Sequence, residues 1–316
     1  MMMLRQSSSR YGLLIQQRRL CSTHMISRLN DFERLKKSSF SRNSQNSSNS
    51  NINVSLRFND EMICENMSVE SHVTLKDLIS EKLNKKTSKR LVAASVNGVL
   101  RDLNSKLTES ENHVELHDVE SEIGTETMWH SASHVLGYAL EKQYGDSIAL
   151  CDGPALRLSE GGSGFFYEMR LLSNDLKISP DDIPDIEAYM KDFVRQNHAF
   201  ERLRVSKEDA LRMFESNRLK REFIENIDES EDEITLYRCG DFVDLCRGPH
   251  VRGVRSPTSL RTSLISLVII PLECYENSNT NTGTISRTRS GKQMSYLRSW
   301  TVRTLPTTWI RIFWKN

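Results

Sequence analysis

From Ser38 to Ser50 the chain reads Ser-Ser-Phe-Ser-Arg-Asn-Ser-Gln-Asn-Ser-Ser-Asn-Ser, with Phe40 its only large apolar residue. A stretch of this kind cannot bury enough apolar surface to offset the entropy of ordering it. It reads as a linker, and packed structure is expected beyond it, from near Ile52. In front of it, residues 1–30 hold Arg5, Arg10, Arg18, Arg19 and Arg28, several serines and no acid. An Arg-rich, Ser-rich, acid-free start has the character of a mitochondrial transit peptide. The alternative is a basic tail on a cytoplasmic protein. Residues 1–50 are thus expected to be transit peptide and disordered linker.

Overall charge is balanced, 43 Lys+Arg against 42 Asp+Glu in 316 residues. This excludes a chain that is basic throughout, though not a local nucleic-acid-binding patch. The longest strongly apolar run, Leu264 to Leu272, is interrupted by Ser266 and Pro271. A membrane-spanning helix needs about 20 apolar residues, so no membrane partner is expected. The six cysteines are dispersed with no CxxC, a pattern suited to a reducing compartment rather than to a disulfide framework.

Periodicity divides the rest. Ile52, Val54, Leu56 and Phe58 alternate with polar residues as in a half-buried strand, and Met62-Ile63-Cys64 reads as its return partner. Thr74 can cap a helix whose stripe is Leu75, Leu78, Ile79 and Leu83. Leu91–Val96 runs into an Asn97-Gly98 hairpin signal, and Val114-Glu115-Leu116 gives a last strand. The order β-β-α-β-β over 52–118 predicts a small β-grasp module with one helix across a mixed sheet. A second α+β domain, with an antiparallel sheet, is expected over 122–254. Its long first helix carries Met128, Ala132, Val135, Leu136, Ala139 and Leu140. Helices are also expected around Ile186–Val194 and after Ser206, and strands at Lys220–Ile224 and Thr235–Cys246. The glycine run 161–164 lacks the GK[ST] ending of a phosphate loop and reads as a connector. The acidic run 228–233 reads as a solvated turn.

Four potential ligands stand out. His130 and His134 lie four apart on a predicted helix, so both imidazoles share one face. Cys246 and His250 have the same separation in a turn shaped by Gly248 and Pro249. HxxxH with CxxxH offers three imidazoles and a thiol, a set that could take zinc. It could equally form a metal-free hydrolytic pocket with imidazole as general base near neutral pKa. The Glu of the zinc-protease HExxH motif is absent. Cys246 as a covalent nucleophile is less supported, since no His-Asn pattern accompanies it. His24, His72, His113, His117 and His198 read as isolated positions without a role.

With these motifs in place the sequence resembles the amino-terminal half of the threonyl-tRNA synthetase family over about residues 52–254. The strings carrying the resemblance are His-Ser-Ala-Ser-His-Val-Leu-Gly (130–137), Gly-Phe-Phe-Tyr-Glu (164–168) and Tyr-Arg-Cys-Gly-Asp-Phe-Val-Asp-Leu-Cys-Arg-Gly-Pro-His-Val (237–251). Ala-Ser-Val-Asn-Gly-Val-Leu-Arg-Asp-Leu (94–103) is similar to that family's amino-terminal TGS β-grasp module. The resemblance implies an editing site that hydrolyses seryl-tRNA specific for threonine. One missing methyl gives a binding pocket only about 1–3 kcal/mol of discrimination. It also implies roles: His130 and His134 position or activate water, Cys246 and His250 complete the pocket beside the terminal adenosine ester, Lys220 donates to the ribose or to developing charge, and Asp244 orients its neighbours. The implied partner is the acceptor end of tRNA(Thr). In related alanyl-tRNA editing domains the same ligand set holds zinc, whereas the threonyl pocket is taken to work without a cofactor. ATP and magnesium belong to the family's ligase domain, and full-length members are expected to be homodimers.

After Val254 the resemblance stops. Residues 255–316 hold nine basic residues, two acids and three of the four tryptophans, and no Gly-x-Gly-x-x-Arg or Phe-Arg-x-Glu signature of a class II ATP site. They are expected to be a basic, disordered or misframed tail of a truncated or alternatively spliced product lacking the ligase core. The rival is a genuine RNA-binding extension with interleaved tryptophans. The rival for the whole chain is a non-catalytic mitochondrial large-ribosomal-subunit protein of the same two-domain architecture. Such a protein has no need of HxxxH with CxxxH.

Overall fold

The computed structural model describes residues 22–43, 51–160, 162, 164–173, 175–228 and 233–254, and the backbone of 267–271 and 309–314. The Arg-rich start before Ser22 and most of the tail lie outside the described residues.

The module at 51–118 has the expected first hairpin, helix and two later strands, and adds a strand at Val99–Asp102 and a short helix at Lys85–Arg90 that the periodicity did not show. Strands β1 (Asn51–Phe58) and β2 (Glu61–Glu70) form a hairpin, helix α2 (Leu75–Lys82) follows, and β3 (Leu91–Val96), β4 (Val99–Asp102) and β5 (Glu111–Asp118) complete a sheet of order β2-β1-β5-β3-β4. β1 and β5 are parallel and the other pairs antiparallel. Thr74 caps α2, its hydroxyl accepting the Asp77 N–H at 3.1 Å. Leu75, Leu78 and Ile79 pack on Val54, Leu56, Val96 and Leu116. A short helix α3 (Lys85–Arg90) lies between α2 and β3.

Helix α4 (Glu122–Tyr144) is the spine of the second domain. Ser121 caps it by accepting the Gly124 N–H, and Gly145 ends it at φ +57°. Its middle is buried on nearly every side, so it reads as a core helix rather than an amphipathic surface one. Gly137 allows this closeness: a Cβ there would come within 2.6 Å of the Tyr167 ring and 2.9 Å of Phe242. β6 (Ile148–Leu150) and β7 (Phe165–Leu171) pair on one side. Helix α5 (Ile183–Gln196) packs Tyr138 against Phe193, ring centroids 4.0 Å apart. β8 (Phe200–Val205), β9 (Ile234–Cys239) and β10 (Phe242–Leu245) form a second antiparallel sheet of order β10-β9-β8. Between β8 and β9 lie α6 (Lys207–Met213), capped by Ser206 as expected, and α7 (Arg218–Glu225). The fold is α+β with antiparallel sheets in the second domain, as the sequence predicts.

Three expectations are corrected. Residues 220–224, read as a strand, belong to α7: Asn217 caps it, accepting the Lys220 N–H, and Leu219, Lys220 and Ile224 are its buried face. The amino-terminal region is not all unpacked. Helix α1 (Thr23–Asn43) runs into the Ser/Asn tract and buries Met25, Phe32 and Leu35. Its Arg28 lies on the same buried face, held by Glu141 of α4 at 2.6 and 2.5 Å. Ser22 and Thr23 donate to Asp146 just beyond α4. Finally, the tail supplies strands. β12 (Trp309–Trp314) pairs antiparallel with β7 and β11 (Leu267–Pro271) with β12, extending the sheet to β11-β12-β7-β6. Without β12, β7 would leave a row of backbone N–H and C=O groups unpaired. Ile312 is buried in the main core. No described helix is long and apolar enough to cross a membrane.

Candidate active site

Helix α4 presents His130 and His134 on one face, with ring centroids 5.4 Å apart. β10 leads into the loop 246–250, which brings Cys246 and His250 against them. His250 lies 4.4 Å from His130 and 4.3 Å from His134, centroid to centroid. Cys246 Sγ is 3.2 Å from His130 Nε2 and 3.3 Å from His250 Nε2. The ligand atoms of all four residues lie within 4.8 Å of one another, and theirs is the one such group among the described residues. His134 and His250 are buried; His130 and Cys246 are partly open to solvent. The pairing read from two i, i+4 spacings is therefore realised in space.

The loop carrying Cys246 and His250 is held from several sides. Gly248 sits at φ +74°, a conformation that side-chain-bearing residues avoid, and a Cβ on it would meet the Tyr237 hydroxyl oxygen at 2.2 Å. Its N–H donates to Cys246 Sγ at 3.2 Å, and the Gly248–Pro249 peptide is cis. The Ser131 hydroxyl donates to the Thr127 carbonyl at 2.9 Å and accepts the Val251 N–H at 3.0 Å. With the proton assigned to Thr127, Ser131 Oγ accepts from His250 Nδ1, 3.1 Å away. His250 is then the Nδ1–H tautomer, and its Nε2 turns a lone pair to the Cys246 thiol. Phe200 stacks on His250 at 4.3 Å with planes 9° apart.

Electrostatics corrects one expectation. Burial depresses all three imidazoles, His134 to about 3 and His250 well below the ordinary histidine value. Asp152 and a hydrogen bond to Pro249, whose only backbone polar group is its carbonyl, partly offset this at His130. The histidines are thus neutral at pH 7 rather than poised near it. Burial likewise pushes the Cys246 thiol upward, so it is protonated and not a ready nucleophile.

Lys220 and Asp244 form a buried ion pair. Lys220 Nζ is 2.8 Å from Asp244 Oδ1, and both side chains are only 5% exposed. The Tyr167 hydroxyl donates to the other carboxylate oxygen. Burial raises Asp244, but Lys220, His134 and Tyr167 outweigh it and leave the carboxyl below its usual range. Burial lowers Lys220, but Asp244 and Asp152 outweigh it and raise it. Lys220 is therefore the counter-ion of Asp244, and the charges of both act on His134.

Sequence reasoning missed Ser131, Tyr167, Tyr237 and Asp152. Ser131 lies inside the HxxxH string, but its role depends on a loop 119 residues away. Three imidazole nitrogens and a thiol within 4.8 Å also suit a tetrahedral zinc set, so the donor chemistry fits that metal.

Residues 234–255, which span β9, β10 and the loop, match the family described as the threonyl and alanyl tRNA synthetase second additional domain. Among curated proteins, threonine–tRNA ligase, mitochondrial 1, of Arabidopsis thaliana is 38% identical over 173 residues, 55% of this chain and 23% of that protein. Threonine–tRNA ligase 1, cytoplasmic, of Homo sapiens is 40% identical over 161 residues, 51% of this chain and 21% of that protein. Threonine–tRNA ligase 2, cytoplasmic, of Xenopus tropicalis is 35% identical over 212 residues, 67% of this chain and 23% of that protein. The chain spans about a quarter of the length of these relatives.

Proposed function

Because the chain carries a region of the threonyl-tRNA synthetase amino-terminal kind, including its second additional domain, we propose that it is an aminoacyl-tRNA ester hydrolase that clears serine from tRNA(Thr). The observation that supports this most is the convergence of His130, His134, Cys246 and His250 around one partly open point. A water bound there meets lone pairs from neutral imidazoles, which accept its proton as it attacks the seryl carbonyl; the ester C–O bond then breaks, the ribose oxygen leaves with that proton, and serine is released. The protonated Cys246 thiol and partly open His130 border the reacting atoms. Asp244 favours positive charge that develops on His134, while Lys220, which opposes that charge, holds the Asp244 carboxylate in place. Threonine is spared because its extra methyl meets the pocket wall or displaces the water.

The partner is the tRNA acceptor end, and binding weakens with salt as phosphate contacts require. Zinc, if bound by His130, His134, Cys246 and His250, would lower the pKa of its bound water to about 7; the reading adopted needs no metal. ATP-dependent charging is not expected of these 316 residues, which contain neither class II signature. We place the protein in mitochondria on its Arg-rich, acid-free start. Named relatives are mitochondrial and cytoplasmic.

The test is deacylation of seryl-tRNA by purified protein and by His130→Ala and His134→Ala. Each substitution should slow hydrolysis by on the order of 10²-fold. Wild-type protein no faster than a variant carrying both His130→Ala and His134→Ala would discard this reading and favour the ribosomal alternative.

A further inference from the structure

Asp102 ends β4, the edge strand of the small module, yet its side chain is buried in the second domain. Its Oδ1 accepts the backbone N–H of His250 at 2.6 Å, and its Oδ2 accepts the Tyr237 hydroxyl at 2.5 Å. Burial raises the Asp102 carboxyl, and these two donors act against that shift; such bonds are costly to leave unmade in a buried place. Both partners belong to the site. His250 is one of its four ligand residues. Tyr237 lies edge-on to the His250 ring at 4.6 Å and covers Gly248, with no room between for a Cβ.

The loop 246–250 contains no regular helix or strand, so its shape must come from what touches it. From inside the second domain it has Ser131, the Phe200 ring stacked on His250, the Cys246 N–H on the Thr235 carbonyl and the Gly248–Cys246 bond, none of which touches the His250 N–H. The fixing of the His250 amide comes from the other domain, 148 residues earlier. Beside it, Arg252 donates to the Ser88 carbonyl at 3.0 Å, a second tie across the same boundary.

We infer that Asp102 is a positioning residue for the hydrolytic site, and that the small module completes that site by fixing the His250 amide and Tyr237. The inference rests on the hydrolytic reading for its effect on rate, but not for its effect on the loop. Asp102 touches neither substrate nor reacting atoms. It acts through His250, whose Nε2 must face Cys246, and through Tyr237, which closes the loop at Gly248. Displacement of a reacting group by about 1 Å is enough to cost on the order of 10²-fold in rate.

The experiment uses the 316-residue protein as wild type, Asp102→Ala and Asp102→Asn, with two readouts. One is amide hydrogen exchange in peptides covering 246–252 and, for reference, α4. The other is kcat and KM for seryl-tRNA hydrolysis. Asp102→Ala should speed exchange at 246–252 while α4 exchanges as in wild type. It should lower kcat by on the order of 10²-fold with little change in KM. Asp102→Asn keeps one carbonyl oxygen for the His250 N–H and should restore protection and much of kcat. Wild-type exchange at 246–252 in Asp102→Ala would overturn the inference. So would a uniform rise in exchange across both regions in the Ala and Asn variants alike, which marks a merely structural role. If wild type fails to hydrolyse seryl-tRNA, the functional reading falls, and the exchange data still decide whether Asp102 orders the loop.

Discussion

Replacing Lys220 with methionine keeps most of the stem and removes the charge that faces Asp244. At 2.8 Å, with an effective dielectric constant of about 20, the pair attracts by roughly 6 kcal/mol. Part of that is offset by desolvation of the ammonium, which the variant no longer bears. The net cost of leaving a buried charge without its partner is about 3–5 kcal/mol, and the variant should lose that much stability at pH 7. The pH dependence carries the sharper sign. In wild type the Asp244 carboxyl sits below its ordinary range. Its contribution is therefore present above the unfolded value of about 3.9 and is lost as pH falls through the folded one. Without Lys220 the burial effect, the largest one acting on Asp244, pushes the carboxyl upward. The variant's carboxylate then costs stability at neutral pH and is relieved by protonation on acidification. The gap between the two proteins should be widest at pH 7 and narrow toward pH 4. Urea unfolding at pH 7, 6, 5 and 4 measures this. A loss under about 1 kcal/mol, the scale of an exposed pair, or a gap constant across that range would refute the reasoning.

Other outcomes follow from the same structure. Phe32→Ala in α1 should cost about 3–5 kcal/mol, as for a large aromatic removed from a core; an unchanged urea midpoint would mean that the helix does not dock. Dialysis against a chelator should leave seryl-tRNA hydrolysis intact, with zinc well below one per chain by elemental analysis; loss on chelation and rescue by zinc would instead assign the four ligand residues to a metal. A reporter fused to residues 1–40 should enter mitochondria, and a uniform cytosolic signal would remove the targeting reading.

What could be read in advance was local. The i, i+4 histidines declared a shared face, alternation declared β1, and Thr74 and Ser206 are cap residues in front of apolar periods. What could not be read depends on partners far along the chain. α1 hides its packing because Arg28 interrupts the stripe of Met25, Phe32 and Leu35. Only Glu141, 113 residues on, makes that arginine a core residue. α7 looked like a strand through Phe223-Ile224, while its buried face includes the charged Lys220, acceptable there only against Asp244. Asp102 sits in a plain hairpin, and nothing local marks it as the acceptor of a loop amide in another domain. The depressed imidazoles follow from burial, which spacing does not report.

The central claim is that the pocket of His130, His134, Cys246 and His250 hydrolyses a seryl ester and spares a threonyl one. Single-turnover deacylation with excess purified 316-residue protein, on matched seryl- and threonyl-tRNA(Thr), measures it directly. The seryl ester should be lost at least about 10-fold faster than the threonyl ester, the lower end of what one methyl group confers, and the seryl rate should collapse in the double-histidine variant. Equal rates on the two esters, or a seryl rate no greater than spontaneous hydrolysis, would contradict it.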